Sequence, residues 1–204
     1  TMLNSHAMAM TRYICVDAAS SKKKGSDYTA MVVWGLASDN NYYVLDLIRD
    51  RLNLTERAER LFSLHRKWKP REVRYEKYGM MADIEHIKTR QNAENYRFDV
   101  KEVAGQTKKI DRIARMIPMF EQLRVYLPES LHVSDYQKQM VDLVRSFIEE
   151  EYCSFPVGLH EDILDAMSRI AEPDMPLVWP KESSKHYEPM PAFRGSPSRQ
   201  AWMG

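Results

Sequence analysis

The chain is short of cysteine: two in 204 residues, Cys15 inside an apolar run and Cys153 in a turn-like stretch. Neither has a partner at disulfide or zinc-ligand spacing, so the chain reads as a reduced, intracellular protein. Long hydrophobic runs are also missing. Nothing approaches the ~18 consecutive apolar residues of a membrane span, and residues 1–10 carry neither a basic nor an apolar export segment. The reading is a soluble, unexported protein that makes no membrane contact. A large charge of one sign is absent as well: 30 Lys and Arg against 29 Asp and Glu leave a formal net charge of +1. That balance does not advertise nucleic-acid binding, since a dedicated binder usually shows a strong basic excess, so any phosphate contact must come from local patches. No G-x-x-x-x-G-K-[ST] phosphate loop, internal repeat or coiled-coil heptad is present.

What is there is 44% hydrophobic and long enough for one packed α/β domain but short for two. Residues 1–10, with three methionines and no periodicity, read as a leader or frayed linker outside the fold, residues 11–172 as the folded domain, and residues 173–204 as a flexible tail. The tail holds six of the ten prolines. Within the domain, Arg12–Asp17, Tyr28–Ala37 and Asn41–Ile48 read as strands of an antiparallel meander. A helix follows from Leu54, with Thr55 as its N-cap and Pro70 as its stop. Then come the strand Val73–Glu76, a helix over Gly79–Glu94 and the strand Arg97–Val103, an alternation that implies parallel pairing. Further helices are predicted over Lys108–Leu123, Tyr136–Tyr152 and His160–Ile170, and Val125–Pro128 with His132–Val133 reads as a short extended pair. The fold class is α/β: a central mixed sheet, an antiparallel meander followed by parallel strands, flanked by helices.

The chemistry sits in carboxylates at the ends of these elements. Asp17 closes the apolar run Tyr13–Val16, and Glu76 closes Glu72–Tyr75. An ionisable group ending a buried strand costs desolvation unless something offsets it, and a bound cation does so directly. Near the end of the domain lies His160-Glu161-Asp162-Ile163-Leu164-Asp165-Ala166, where Asp162 and Asp165 share a helical face. Each acid has an ordinary explanation: a turn at Asp17, a surface ion pair for Glu76, helix-dipole contacts for Glu161 and Asp162, an i,i+4 pair of Asp165 with Arg169. Their joint placement at carboxyl ends of strands in a parallel topology, where ligands of α/β sheets bind, points to one metal cluster.

These residues resemble the C-terminal nuclease domain of the large terminase subunit of tailed bacteriophages, which has an RNase H-like fold. The matching stretches run from the strand ending in Asp17-Ala18-Ala19 through Gly25–Ala30, Tyr43–Asp46, Val73–Glu76 with Gly79, and Lys109–Ile113 to His160–Ala166. The resemblance implies a metal-dependent endonuclease that hydrolyses double-stranded viral DNA, cutting concatemers into genome units during packaging. Asp17, Glu76 and Asp162 match the catalytic metal-binding carboxylates. Asp165 and Glu161 are further ligand candidates, and His160 could orient water. Two ions, Mg²⁺ or Mn²⁺, are implied, one on Asp17 and Asp162 and one on Asp17 and Glu76. Lys22, Lys23, Lys24, Lys108, Lys109, Arg112 and Arg115 are candidates for DNA contact, with Lys109, Arg112 and Arg115 on one helical stripe. The family context implies a packaging ATPase domain in the same full-length protein, portal and small terminase subunit as partners, and action in the cytoplasm of an infected bacterial host, transiently at the capsid portal. Two other functions fit the same residues: another RNase H-like nuclease, such as a Holliday-junction resolvase or transposase, or a non-catalytic packaging or docking module.

Overall fold

A computed structural model describes residues 7, 9–18, 28–76, 81–103 and 107–181. Among the described residues the elements run, in chain order, β1 (Thr11–Asp17), β2 (Thr29–Leu36), β3 (Tyr42–Asp50), α1 (Leu54–Trp68), β4 (Glu72–Glu76), α2 (Met81–Ala93), β5 (Val100–Val103), α3 (Lys109–Ala114), α4 (Ile117–Glu121), β6 (Val125–Tyr126), β7 (His132–Ser134), β8 (Met140–Asp142), α5 (Leu143–Ser146) and α6 (Asp162–Ser168). A π-helical segment, Phe147–Tyr152, prolongs α5, and a 3₁₀ turn, Arg169–Ala171, prolongs α6. Six strands form one mixed sheet in the order β5-β4-β1-β2-β3-β6. β1, β2 and β3 are antiparallel neighbours, while β4 joins β1, β5 joins β4 and β6 joins β3 in parallel. The expected meander followed by parallel strands is therefore the observed sheet.

Strand alternation sorts the core into two layers. Ile14, Val16, Met31, Val33, Val73 and Tyr75 pack with Ala58, Leu61 and Phe62 of α1 and Ile84 and Ile87 of α2. Tyr13, Cys15, Ala30, Val32, Trp34 and Leu47 face the other way, onto Ile113, Leu143, Phe147 and the apolar side of α6. Burial there pushes the Cys15 thiol up to about 12. No helix among the described residues is long and apolar enough to cross a membrane.

Several element bounds differ from the sequence reading, each for a local reason. The N-cap of α1 is Asn53, one turn-position before the helix rather than Thr55 within it: its side chain accepts from Glu56 N while Glu56 caps Asn53 N in return. The helix expected over Lys108–Leu123 is broken into α3 and α4. Pro118 has no N–H and its ring opposes the carbonyl four residues back, which is Ala114, where α3 ends. The helix expected from Tyr136 starts at Leu143, because the Asp135 carboxylate accepts from Gln137 N and Gln139 N and ties 135–139 into the turn of a β7–β8 hairpin. Hence 125–126 and 132–133 do not pair with each other; β6 pairs with β3 and β7 with β8. Residues 173–181, read as flexible, pack on the domain. Met175 is buried, Leu177 and Trp179 lie against the core, and Tyr13 Oη donates to Pro176 O and accepts from Val178 N.

Candidate metal centre

Alternation along β1 puts Asp17 on the same face as Tyr13 and Cys15, the face that α6 covers. On β4 the odd residues Val73 and Tyr75 belong to the opposite layer, so Arg74 and Glu76 point toward α6 too. The parallel register sets Val16 beside Tyr75, which brings the two strand-end acids side by side. α6 packs across β1 and β2 and is buried along all but its first residue, and it supplies Asp165. One carboxylate oxygen from each of Asp17, Glu76 and Asp165 lies within 4.8 Å of the others. Glu76 and Asp165 are 2% and 5% exposed, so two of the three negative charges are almost cut off from bulk water.

Three cations brace this cluster from behind and from one side. Arg169, fully buried, ion-pairs with Glu76 Oε1 and with Glu172 Oε1. Arg112 directs Nε at Asp165 Oδ1 (3.0 Å) and at Ser168 Oγ (3.1 Å), and its Nη2 meets the same Oδ1. Lys109 Nζ stands 3.3 Å from Glu161 Oε2 and 3.6 Å from Asp165 Oδ2. Deeper still, buried Arg74 binds Glu72, Glu172 and Asp174.

Even so braced, the cluster has excess negative character. Burial first, then the charges of Glu76 and Asp165, push the Asp17 carboxyl well above the usual carboxylate range. Glu76 Oε2 is buried with no hydrogen-bond partner, a costly state for a carboxylate oxygen. Crowded oxygen donors, one of them buried and unpartnered, fit a hard divalent cation such as Mg²⁺ or Mn²⁺. Asp17, Glu76 and Asp165 are the side chains positioned to hold it.

Asp162 is not in the trio. Its Oδ2 lies 3.4 Å from Arg49 Nε and 3.8 Å from His160 Nδ1, and Arg49 also holds Glu150 at 2.9 Å and Glu151 at 3.5 Å. Glu161 turns to Lys109, and His160 packs edge-on against Tyr28. Of the basic candidates, Lys22, Lys23 and Lys24 lie outside the described residues, while Lys108 and Arg115 are exposed. The stripe Lys109–Arg112–Arg115 is not one solvent face. α3 packs against α6, so Arg112 is buried at 2% exposure on Asp165, and Lys109 is half-buried between two acids. Asp165 pairs with Arg112, not with Arg169, whose guanidinium goes to Glu76 instead. Sequence spacing missed Arg49, Arg112 and Arg169 as internal braces. The only available signal was a helical arginine three residues after Lys109 and another four after Asp165.

The chain matches the family described as Terminase RNaseH-like domain over residues 14–171. No curated protein matches it. Among solved structures, the large terminase nuclease from thermophilic phage G20c is similar at 15% identity and a TM-score of 0.51, covering 78% of this chain and 80% of that one. The human cytomegalovirus terminase nuclease domain is similar at 15% identity and a TM-score of 0.59, covering 81% and 84%. A manganese-soaked form of that viral domain gives 14% identity and a TM-score of 0.52, covering 81% and 83%. The six-stranded mixed sheet flanked by helices is RNase H-like, and the chain belongs to the terminase RNaseH-like domain family.

Proposed function

We propose that this chain is a divalent-metal-dependent endonuclease that hydrolyses phosphodiesters of double-stranded viral DNA, acting during packaging alongside an ATPase, a portal and a small terminase subunit. The observation that carries the reading is the meeting of Asp17, Glu76 and Asp165 from β1, β4 and α6, with Glu76 Oε2 buried and unpartnered. Family membership over residues 14–171 supports a nuclease of this fold, and the manganese soak of the cytomegalovirus relative supports the metal class.

When bound, such a cation polarises a phosphoryl oxygen and acidifies a water toward neutrality. The chain's own residues hold and balance the site. Arg169 fixes Glu76 through Oε1 and leaves Oε2 without a hydrogen-bond partner. Arg112 holds Asp165 through Oδ1, and Lys109 covers its Oδ2 side. Bare carboxylates would repel a phosphodiester at short range; three cations in contact with them offset that repulsion. Burial of the cluster keeps the dielectric low and each of these interactions strong.

The test is nicking of supercoiled plasmid with Mg²⁺ or Mn²⁺, together with the melting shift that Mn²⁺ produces. The unaltered chain should cut and be stabilised by the ion, and Asp17→Asn should do neither. Undiminished cutting by Asp17→Asn would remove the site from the reaction.

A further inference from the structure

Two arginines approach the ring of Tyr28, and their surroundings differ. Arg49 Cζ lies 4.7 Å from the ring centroid, and its guanidinium is committed to Glu150, Glu151 and Asp162. Arg51 Cζ lies 5.0 Å from the Tyr28 centroid and 4.6 Å from that of Tyr136, in the crook of two rings inclined at 61°. Among the described residues no carboxylate is within ion-pair distance of Arg51, and the residue is exposed. Tyr136 comes from the tip of the β7–β8 hairpin, pinned to the sheet by its backbone N–H donating to Asp50 Oδ1 at 3.1 Å. A ring attracts a cation through its quadrupole and carries no formal charge. The tyrosines therefore orient this guanidinium without neutralising it.

The position matters as much as the pairing. Asp17 lies opposite Ala30, and Ala30 opposite Arg49, in one row across the sheet. Arg51 is the first residue past the end of β3, two beyond Arg49, and shares the Tyr28 ring with it. At about 4.8 Å between strands and 3.3 Å per residue of extended chain, its Cα is roughly 12 Å from that of Asp17, about three to four base-pair rises of 3.4 Å measured along the duplex axis.

Resting on the nuclease reading, we propose that Arg51, held by Tyr28 and Tyr136, binds a backbone phosphate of the DNA strand whose scissile bond lies at Asp17, Glu76 and Asp165. Contact with the rings uses the charge of the guanidinium and none of its N–H donors as hydrogen bonds to carboxylates, which leaves a fork suited to two phosphate oxygens. The contact carries no base information. It positions a strand beside Glu150 and Asp162, the partly exposed acids that Arg49 holds.

The experiment is duplex binding by fluorescence anisotropy with the full chain in EDTA, across roughly 50 to 200 mM salt. It compares the unaltered protein, Arg51→Ala, Arg51→Lys and a control arginine already paired with a carboxylate, Arg145→Ala. One lost phosphate contact should make the slope of log K against log salt shallower by about 0.9, so the affinity loss of Arg51→Ala is about threefold larger at the low-salt end. Arg51→Lys should recover most of the slope, Arg145→Ala should change it far less than Arg51→Ala, and the Mn²⁺-induced melting shift of Arg51→Ala should stay intact. An unchanged slope in Arg51→Ala, with the parent binding duplex, overturns the assignment alone. Loss of the Mn²⁺ shift in Arg51→Ala also overturns it, by making the residue a support of the carboxylates. No duplex binding by the parent overturns it together with the nuclease reading.

Discussion

Asp162 and Asp165 are three residues apart on the same short helix, yet they meet different partners. Asp165 joins Asp17 and Glu76, and Asp162 is held by Arg49. Asp165→Asn should therefore abolish both plasmid cutting and the Mn²⁺-induced melting shift, with activity down at least about a hundredfold, as for loss of a principal electrostatic group. Asp162→Asn should keep the melting shift, and its loss would place Asp162 among the ligands. Arg169 offers a second test at this scale. Replacing it by Met leaves Glu76 and Glu172 facing each other without their shared cation, and removal of one partner from a buried pair costs about 3–5 kcal/mol. Urea unfolding should show that loss, and a smaller one for Arg169→Lys. Asp17 and Glu76 were legible because a charge closing an apolar strand stands out against its own run. The choice between Asp162 and Asp165 was not, since both fit one helical face, and what separates them is an arginine arriving from β3, over a hundred positions earlier in the chain.

Elements were legible where one face is buried and the alternation or helical period is strong, as in β1 to β4 and α1. They were misjudged where single side chains redirect the backbone: Pro118 opposing Ala114 O, and Asp135 gathering two amides into a turn that an amphipathic pattern had run straight through. Arg112 shows the same limit for charge. Its spacing from Lys109 and Arg115 describes a stripe, but which way a stripe faces is decided by the helix packed against it. The segment 173–181 carries the prediction at this scale. A chain ending at Ala171 loses Glu172 and Asp174, two of the three acidic partners of fully buried Arg74, together with both backbone bonds to Tyr13 Oη. It should melt about 10 °C or more below a chain ending at Lys181. Equal melting temperatures would show that this strap adds nothing.

For the molecule as a whole, stability should depend on pH in two opposed ways. His65 stacks on Phe98 at 3.9 Å and shares a 2.8 Å hydrogen bond with Tyr96 Oη. Burial, then Lys69 and Arg66, lower its pKa to about 4 from 6.5. Between those values the unfolded chain binds the proton more readily, so this contribution is complete above 6.5 and is lost as pH falls toward 4. Glu151 behaves in reverse. Burial raises it to about 7 from 4.5, against the Leu164 N–H that favours its ionised form. The folded state then holds the proton longer, and stability is lost as pH rises from 4.5 through 7. His65→Phe keeps the aromatic packing and removes one of the two. Subtracting its melting curve from that of the parent should leave a difference that grows in the parent's favour from pH 4 to 6.5 and is flat above. A difference independent of pH would mean that His65 is not buried in its neutral form.

The three carboxylates that meet, Asp17, Glu76 and Asp165, are spread over almost the whole folded chain, and the arginine that braces Glu76 comes four residues after the last of them. During synthesis, the growing polypeptide carries Asp17 and Glu76 long before Asp165 and Arg169 have left the ribosome. Until that late helix docks on the sheet the three acids do not meet, so on the proposed reading a partly made or unfolded chain would have no site with which to attack nucleic acid around it. On that reading, cutting would wait for α6 to dock, a safeguard that needs no inhibitor.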